Sequence, residues 1–303
     1  MVAAQKKLTW FKERVWQARG AATFEGNPCC DAWLSMGRQS NMKPLQLLSV
    51  FPRRPGEFMD RVLMIVGSRW ESAVRRRPRY IPISQNEAWA QLSQRGLHNL
   101  ASHVSEPALT ELGAQVQRTM LDLPADAPFA FSHHGDPLLA RLCYATSRAL
   151  RPNVVVETGV CYGVTSAHLL RALKENQNGY LHSIDLPPLG KDGDQYVGRL
   201  IPTELKDSWT LHRGCSGKLL KPLLQELGSI DLFIHDSLHT YRNMTQEFAL
   251  AWPALRGGGV VISDDIEGNS AFLELTQLPD VAFSLVIKEE GKDALLGVVV
   301  KFE

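Results

Sequence analysis

Two stretches of this 303-residue chain have residue types and spacing that could do chemistry. The first is Asn153–Ser166, NVVVETGVCYGVTS. Val154, Val155 and Val156 read as a short buried strand, with Glu157 at its end and Pro152 and Gly159 as its bounds. The turn Gly159–Gly163 then leads into Val164, Ala167, Leu169, Leu170 and Leu173, an apolar period that predicts a helix. Strand, glycine turn and helix start together aim backbone N–H groups at a ligand. The second stretch is FIHDSLHTYRNMTQEF, followed downstream by GGGVVISDD, which supplies Asp236, His239, Asp264 and Asp265. Carboxylates and imidazoles are the side chains of proton transfer and of hard-cation binding.

A dinucleotide site would want G-x-G-x-x-G at the first stretch. Cys161 stands where its second glycine belongs and Val164 where its third belongs, and Glu157 is an anion poorly placed beside a pyrophosphate. The pattern E-x-G-x-x-x-G-x-x-S, from Glu157 through Gly159 and Gly163 to Ser166, instead resembles motif I of class I S-adenosylmethionine (SAM)-dependent methyltransferases. The resemblance implies a cofactor with an ammonium for the acidic strand end and a carboxylate for the glycine turn and helix start. Asp185 ends the next predicted strand, 28 positions after Glu157. In a doubly wound sheet it shares the same crevice, where a carboxylate can accept from both ribose hydroxyls. By the same resemblance Ser216, in Gly214–Cys215–Ser216, stands near the adenine edge; it also reads as a helix cap.

The second stretch narrows the resemblance to metal-dependent small-molecule O-methyltransferases of the sugar and macrolide type and their cephalosporin-hydroxylase-like relatives. It covers residues 150–270, with the H-T-Y and G-G-x-x-x-x-D-D elements as its specific parts. It implies that Asp236, Asp264 and Asp265 hold a divalent ion. Three carboxylate ligands with waters suit Mg²⁺ or Mn²⁺, and such an ion makes a substrate hydroxyl easier to ionise. The group's second aspartate is Leu238 here, so His239 becomes the candidate base, with Asp265 as the alternative.

Positioning these residues requires alternating strands and helices. Strands are expected at Tyr180–Asp185, Trp209–Arg213, Ile230–Asp236, Val260–Asp264, Val281–Lys288 and Leu295–Phe302. Helices are expected at 137–150, Ser216–Leu227, Tyr241–Leu255 and Asn269–Gln277. Gly257–Gly259 read as a turn, and the last two strands are too close for a parallel crossover, so they form an antiparallel hairpin. The expected fold is α/β: a Rossmann-like class I methyltransferase sheet, mostly parallel with its last strand antiparallel, and a mainly helical N-terminal extension.

That extension is residues 1–125, with helical pieces at Leu8–Arg19, Pro55–Ser68, Glu87–Ser102 and Ala108–Leu121; the SAM-binding domain is 126–303. Residues 53–79 hold eight arginines against three acids, either a docking face for an anion or, as we read it, a solvated surface. His133 and His134 are adjacent and diverge on a helix, so they make no metal site by themselves. Cys29–Cys30 reads as incidental.

Composition narrows the remaining classes. A net charge of +1 with 44% apolar residues gives no nucleic-acid footprint. No apolar run is long enough to span a bilayer, and the N-terminus lacks a secretory h-region. Five cysteines without a C-x-x-C pair suggest reduced thiols and a cytoplasmic setting. The expected activity is methyl transfer from SAM to a hydroxyl of a sugar or natural-product intermediate, with homo-oligomerisation through the extension open. The alternatives are a metal-independent N-methyltransferase, a hydroxylase-like relative, and a catalytically silent SAM-binding partner protein.

Overall fold

The computed structural model describes residues 48, 50–52, 54–74, 77–124, 127–129, 137–189, 192–288 and 293–303. Leu8–Arg19, Cys29–Cys30, His133 and His134, and the 125/126 boundary lie outside the described residues. None of the helices described is long and apolar enough to cross a membrane.

Eight strands form one sheet: β1 (Ile83–Ser84), β2 (Val154–Thr158), β3 (Tyr180–Asp185), β4 (Trp209–Arg213), β5 (Ile230–His235), β6 (Leu255–Ser263), β7 (Val281–Lys288) and β8 (Leu295–Lys301). Their order is β1-β7-β8-β6-β5-β2-β3-β4. Every pairing is parallel except those of β8, which lies antiparallel between β6 and β7. The helices are α1 (Pro55–Val74), α2 (Gln85–Gln94), α3 (Leu100–His103), α4 (Pro107–Leu121), α5 (Pro137–Leu150), α6 (Val164–Asn176), α7 (Ser216–Leu227), α8 (Tyr241–Ala254) and α9 (Ala271–Thr276).

The central strands are apolar on both faces because both faces are covered, as parallel sheets require. Val155, Leu232, Ile234, Val260 and Ile262 pack with α2, α4, α5 and α6. Their neighbours Val156, Phe233 and Val261 turn the other way, into a core with α7, α8 and α9. The extension therefore does more than append helices. Trp89, Leu92, Leu100, Leu112 and Val116 share the first of these cores.

Four elements differ from the expectation. The two residues of β1 pair in parallel with Ile287 and Lys288, so the extension contributes a strand as well as helices. The single helix expected over 87–102 is two, broken where Gly96 and Asn99 take positive φ (108° and 62°). β6 starts at Leu255, so Gly257–Gly259 lie within the strand. A Cβ at Gly257 would meet the Glu303 backbone at 2.8 Å, a close approach that glycine permits. Finally, Ser216 is the first residue of α7, and its N-cap is Cys215 with no side-chain cap bond.

The extension is fixed to α5 by Glu106. Its carboxylate accepts from Arg148 Nε (2.8 Å), Arg148 Nη2 (3.0 Å) and the Tyr144 hydroxyl, with His103 Nδ1 at 2.7 Å. Burial works to raise its pKa, but these donors outweigh burial and hold it at about 2 against an ordinary 4.5. A depressed carboxyl contributes stability that is present above its unfolded pKa and is lost as pH falls through its folded one. Glu106→Gln should therefore cost on the order of 2 kcal/mol at pH 7. The gap from wild type should shrink below pH 4.5 and close near pH 2. Denaturant titration across that range checks it; a gap independent of pH would contradict the assignment.

Candidate active site

The carboxyl ends of β3, β2, β5 and β6 are sewn together one residue beyond the ladder. Gly159 N donates to Ile184 O (2.9 Å), Asp236 N to Thr158 O (2.8 Å), and Asp264 N to His235 O (2.9 Å). On the far side Gly214 N donates to Asp185 O (2.8 Å). Asp185, the glycine turn, Asp236 and Asp264 are thereby set side by side along one edge, the crevice position of an open α/β sheet.

The turn itself is dictated by close approach. Gly159 has φ +87°, and a Cβ there would sit 1.9 Å from the Asp236 carbonyl oxygen. Gly163, at φ +90°, caps α6, and its Cβ would come within 2.8 Å of Gly198 Cα. Asp185 Oδ2 accepts from Val160 N (3.0 Å) and Cys161 N (2.8 Å), so the carboxylate holds the turn in shape. Burial pushes the Asp185 carboxyl up, opposed by those N–H groups.

Glu157 lies beneath the turn, fully buried. Its Oε2 accepts from Ser166 Oγ and Ser183 Oγ, both at 2.7 Å. Its Oε1 is buried without a hydrogen-bond partner among the described residues. Burial raises its pKa to about 7, against the two hydroxyls. Ser166 thus faces Glu157, and Ser216 lies beside Glu247.

One ligand atom each from Asp236, His239 and Asp264 lies within 4.8 Å of the other two. The grouping differs from the expected trio: His239 joins it, and Asp265 stands outside with its Oδ2 at 3.5 Å from His239 Nδ1. The cause is backbone geometry. Asp265 takes a left-handed conformation (φ 46°), so adjacent aspartates diverge. Burial pushes the Asp236 carboxyl well above its usual range, and the charges of Glu157 and Asp265 push it further. A cation relieves that conflict; two carboxylates and an imidazole fit Mn²⁺ as well as Mg²⁺. Tyr241, two residues after His239 in the H-T-Y element, donates its hydroxyl to Glu274 (2.9 Å).

Two features of the site were not read from sequence. The first is the position of α1. Arg61, 8% exposed, donates to Pro187 O (2.5 Å) and to Glu57 (2.7 Å). Glu57 also takes Arg213 (2.9 Å), Asp60 pairs with Lys218 (2.6 Å), and Arg242 N donates to Glu71 (2.9 Å). These contacts tie α1 to the segments after β3 and β4 and to the starts of α7 and α8, so it runs across the carboxyl edge. Arg61 is neither solvated nor a docking face; Arg53, Arg75 and Arg76 are outside the described residues. The second feature is Glu247, buried on α8. Its signal was a charged residue on the helix face that buries Met244, Phe248 and Ala251.

Residues 156–266 match the family model described as a methyltransferase domain. No curated protein sequence matches the chain. Among solved structures the chain is similar to the O-methyltransferase from Bacillus cereus in complex with S-adenosylhomocysteine (SAH), at 18% identity over 72% of this chain and 98% of that one, with TM-score 0.44. It is also similar to the O-methyltransferase TomG from Streptomyces achromogenes, involved in tomaymycin synthesis and bound to SAM, at 21% identity, 72% and 100% coverage, and TM-score 0.46. A third is MycE from the mycinamycin pathway, with Mg, SAH and mycinamycin VI, at 17% identity, 65% and 54% coverage, and TM-score 0.42. The sheet order, with β8 the one antiparallel strand, is that of the class I methyltransferase fold, and the methyltransferase-domain match within it spans residues 156–266, less than half of the chain.

Proposed function

We propose that this chain transfers the methyl group of SAM to a hydroxyl of a small molecule, a sugar or natural-product intermediate, with a divalent ion at the acceptor. The observation that carries the proposal is the lateral order on one edge: Asp185, the glycine turn, then Asp236 and Asp264. In this proposal Asp185 receives the ribose diol while bracing the turn, and the Gly159–Gly163 turn receives the methionine part. The partnerless Oε1 of Glu157 suits an ammonium reached directly or through a water. Ser216 borders the adenine.

Asp236, His239 and Asp264 would hold Mn²⁺ or Mg²⁺, which when bound makes an acceptor hydroxyl more acidic. Leu238 cannot accept a proton. Asp265, outside the ligand cluster and facing His239 Nδ1, takes it in this assignment. The same contact orients the imidazole so that its other nitrogen faces Asp236, the usual carboxylate–histidine arrangement behind a metal. Methyl transfer then needs positioning alone. The absence of a carboxylate at Leu238 also favours a second reading, an amine acceptor that needs little base, with Asp236 and Asp264 pairing with it directly.

Calorimetric titration of SAH separates the parts. Asp185→Ala should weaken SAH binding by roughly tenfold or more, the loss of about two charge-assisted hydrogen bonds. Asp236→Ala should keep SAH binding and lose its dependence on Mn²⁺. Equal SAH affinity in Asp185→Ala and wild type would overturn the ribose placement.

Turnover assays with candidate sugars should give a product heavier by one CH₂ unit and should stop on chelation of divalent ions. Turnover unaffected by EDTA would favour the amine reading, and a product heavier by one oxygen would contradict methyl transfer.

A further inference from the structure

Glu247 is a fully buried carboxylate that the proposed chemistry does not use. Its Oε2 accepts from Thr158 Oγ1 (2.6 Å) and faces His235 Nδ1 at 2.7 Å. Its Oε1 accepts from Ser237 Oγ (2.8 Å) and Asn243 Nδ2 (2.9 Å). Asn243, one turn earlier on the same face of α8, also donates to Leu238 O and to Ser237 Oγ, both at 3.0 Å. Four of the groups around this carboxylate, which Ser216 also borders, are not scattered through the core. His235 and Ser237 are the two chain neighbours of Asp236, Thr158 precedes Gly159, and Asn243 pins the backbone one residue before His239.

A buried ionised group is a poor way to gain stability, because well-packed apolar residues of similar volume commonly do as well. Satisfied polar networks instead fix one geometry. Glu247 meets that description: burial would raise its pKa, yet the facing imidazole and the hydroxyls hold it down at about 2.

We propose that Glu247 is the positioning residue of this site, setting Asp236 and His239 for the cation and fastening that loop to the cofactor turn. This deepens the metal-assisted reading above and rests on it for the cation. In the wild-type chain each oxygen faces at least two polar groups. Glu247→Gln removes the negative charge without a change of shape: turned toward Asn243 the amide nitrogen faces a donor, and turned toward Thr158 and His235 it requires the hydroxyl to rotate and the imidazole to change tautomer. The loop residues keep their identity but lose their common anchor.

The test uses the full chain carrying Glu247→Gln or Ser237→Ala. Mn²⁺ affinity is followed by electron paramagnetic resonance, SAH affinity by calorimetry, and folding by thermal unfolding. Glu247→Gln should remain folded and bind Mn²⁺ about 10- to 100-fold more weakly, the usual effect of removing an outer-shell partner. It should also bind SAH about threefold more weakly, through Thr158 and the turn, a fraction of one hydrogen bond. Ser237→Ala removes one arm only and should weaken Mn²⁺ several-fold, and it decides the matter if Glu247→Gln does not fold. A variant with a lower unfolding temperature but wild-type Mn²⁺ and SAH affinities would reduce Glu247 to a structural residue and overturn the proposal. A wild-type chain that binds SAH but no Mn²⁺ would overturn the metal reading alone. Glu247 would then be judged on SAH: unchanged affinity in Glu247→Gln overturns the proposal, and weakened affinity upholds the fastening of loop to turn.

Discussion

Everything at this site depends on how tightly two strand ends approach. The Asp236 carbonyl lies where a side chain on residue 159 would have to begin, so β2 can turn beneath it only with glycine. That contact forces the turn into a left-handed conformation, directs its next two N–H groups onto Asp185, and starts α6 after four further residues. One steric constraint thereby couples the glycine-turn half of the edge to the acidic half.

The second constraint is electrostatic. Glu157, Asp185, Asp236, Asp264 and Asp265 crowd onto the ends of four neighbouring elements, in an interior that opposes ionisation. The chain relieves this in four ways. Backbone N–H groups serve Asp185, serine hydroxyls serve Glu157, and His239 stands between Asp236 and Asp265. Arg61, brought in by α1, adds a positive charge that works with those N–H groups against the upward push of burial on Asp185. Asp236 is still pushed well above its usual range, and it belongs to the cluster whose geometry admits a cation.

Much of this was legible because the sheet's core strands are local apolar runs with acids at their ends. The ends at Thr158, Asp185 and Arg213 follow from runs bounded by glycine or proline, and the antiparallel β7–β8 hairpin follows from a connection too short to cross over. What was not legible depends on distant partners. β1 has two residues, and its place is set by β7, some 200 positions later. The extension of β6 through Gly257–Gly259 depends on the chain end packing beside it. Asp264 and Asp265 are neighbours in sequence but diverge at a single left-handed residue, so His239 rather than Asp265 clusters with Asp236 and Asp264. Glu247 stands eight positions after His239 in a helix that otherwise reads as an ordinary amphipathic one; its role appears only once Thr158, His235 and Ser237 are brought around it.

The most direct measurement is photo-labelling with methyl-labelled SAM followed by peptide mapping. An adenosyl nucleoside lying along this edge predicts label within residues 157–166 or in the segment following Asp185, competed away by SAH. Label confined to the N-terminal helices, or label that SAH does not displace, would contradict a cofactor site at the carboxyl edge of the sheet.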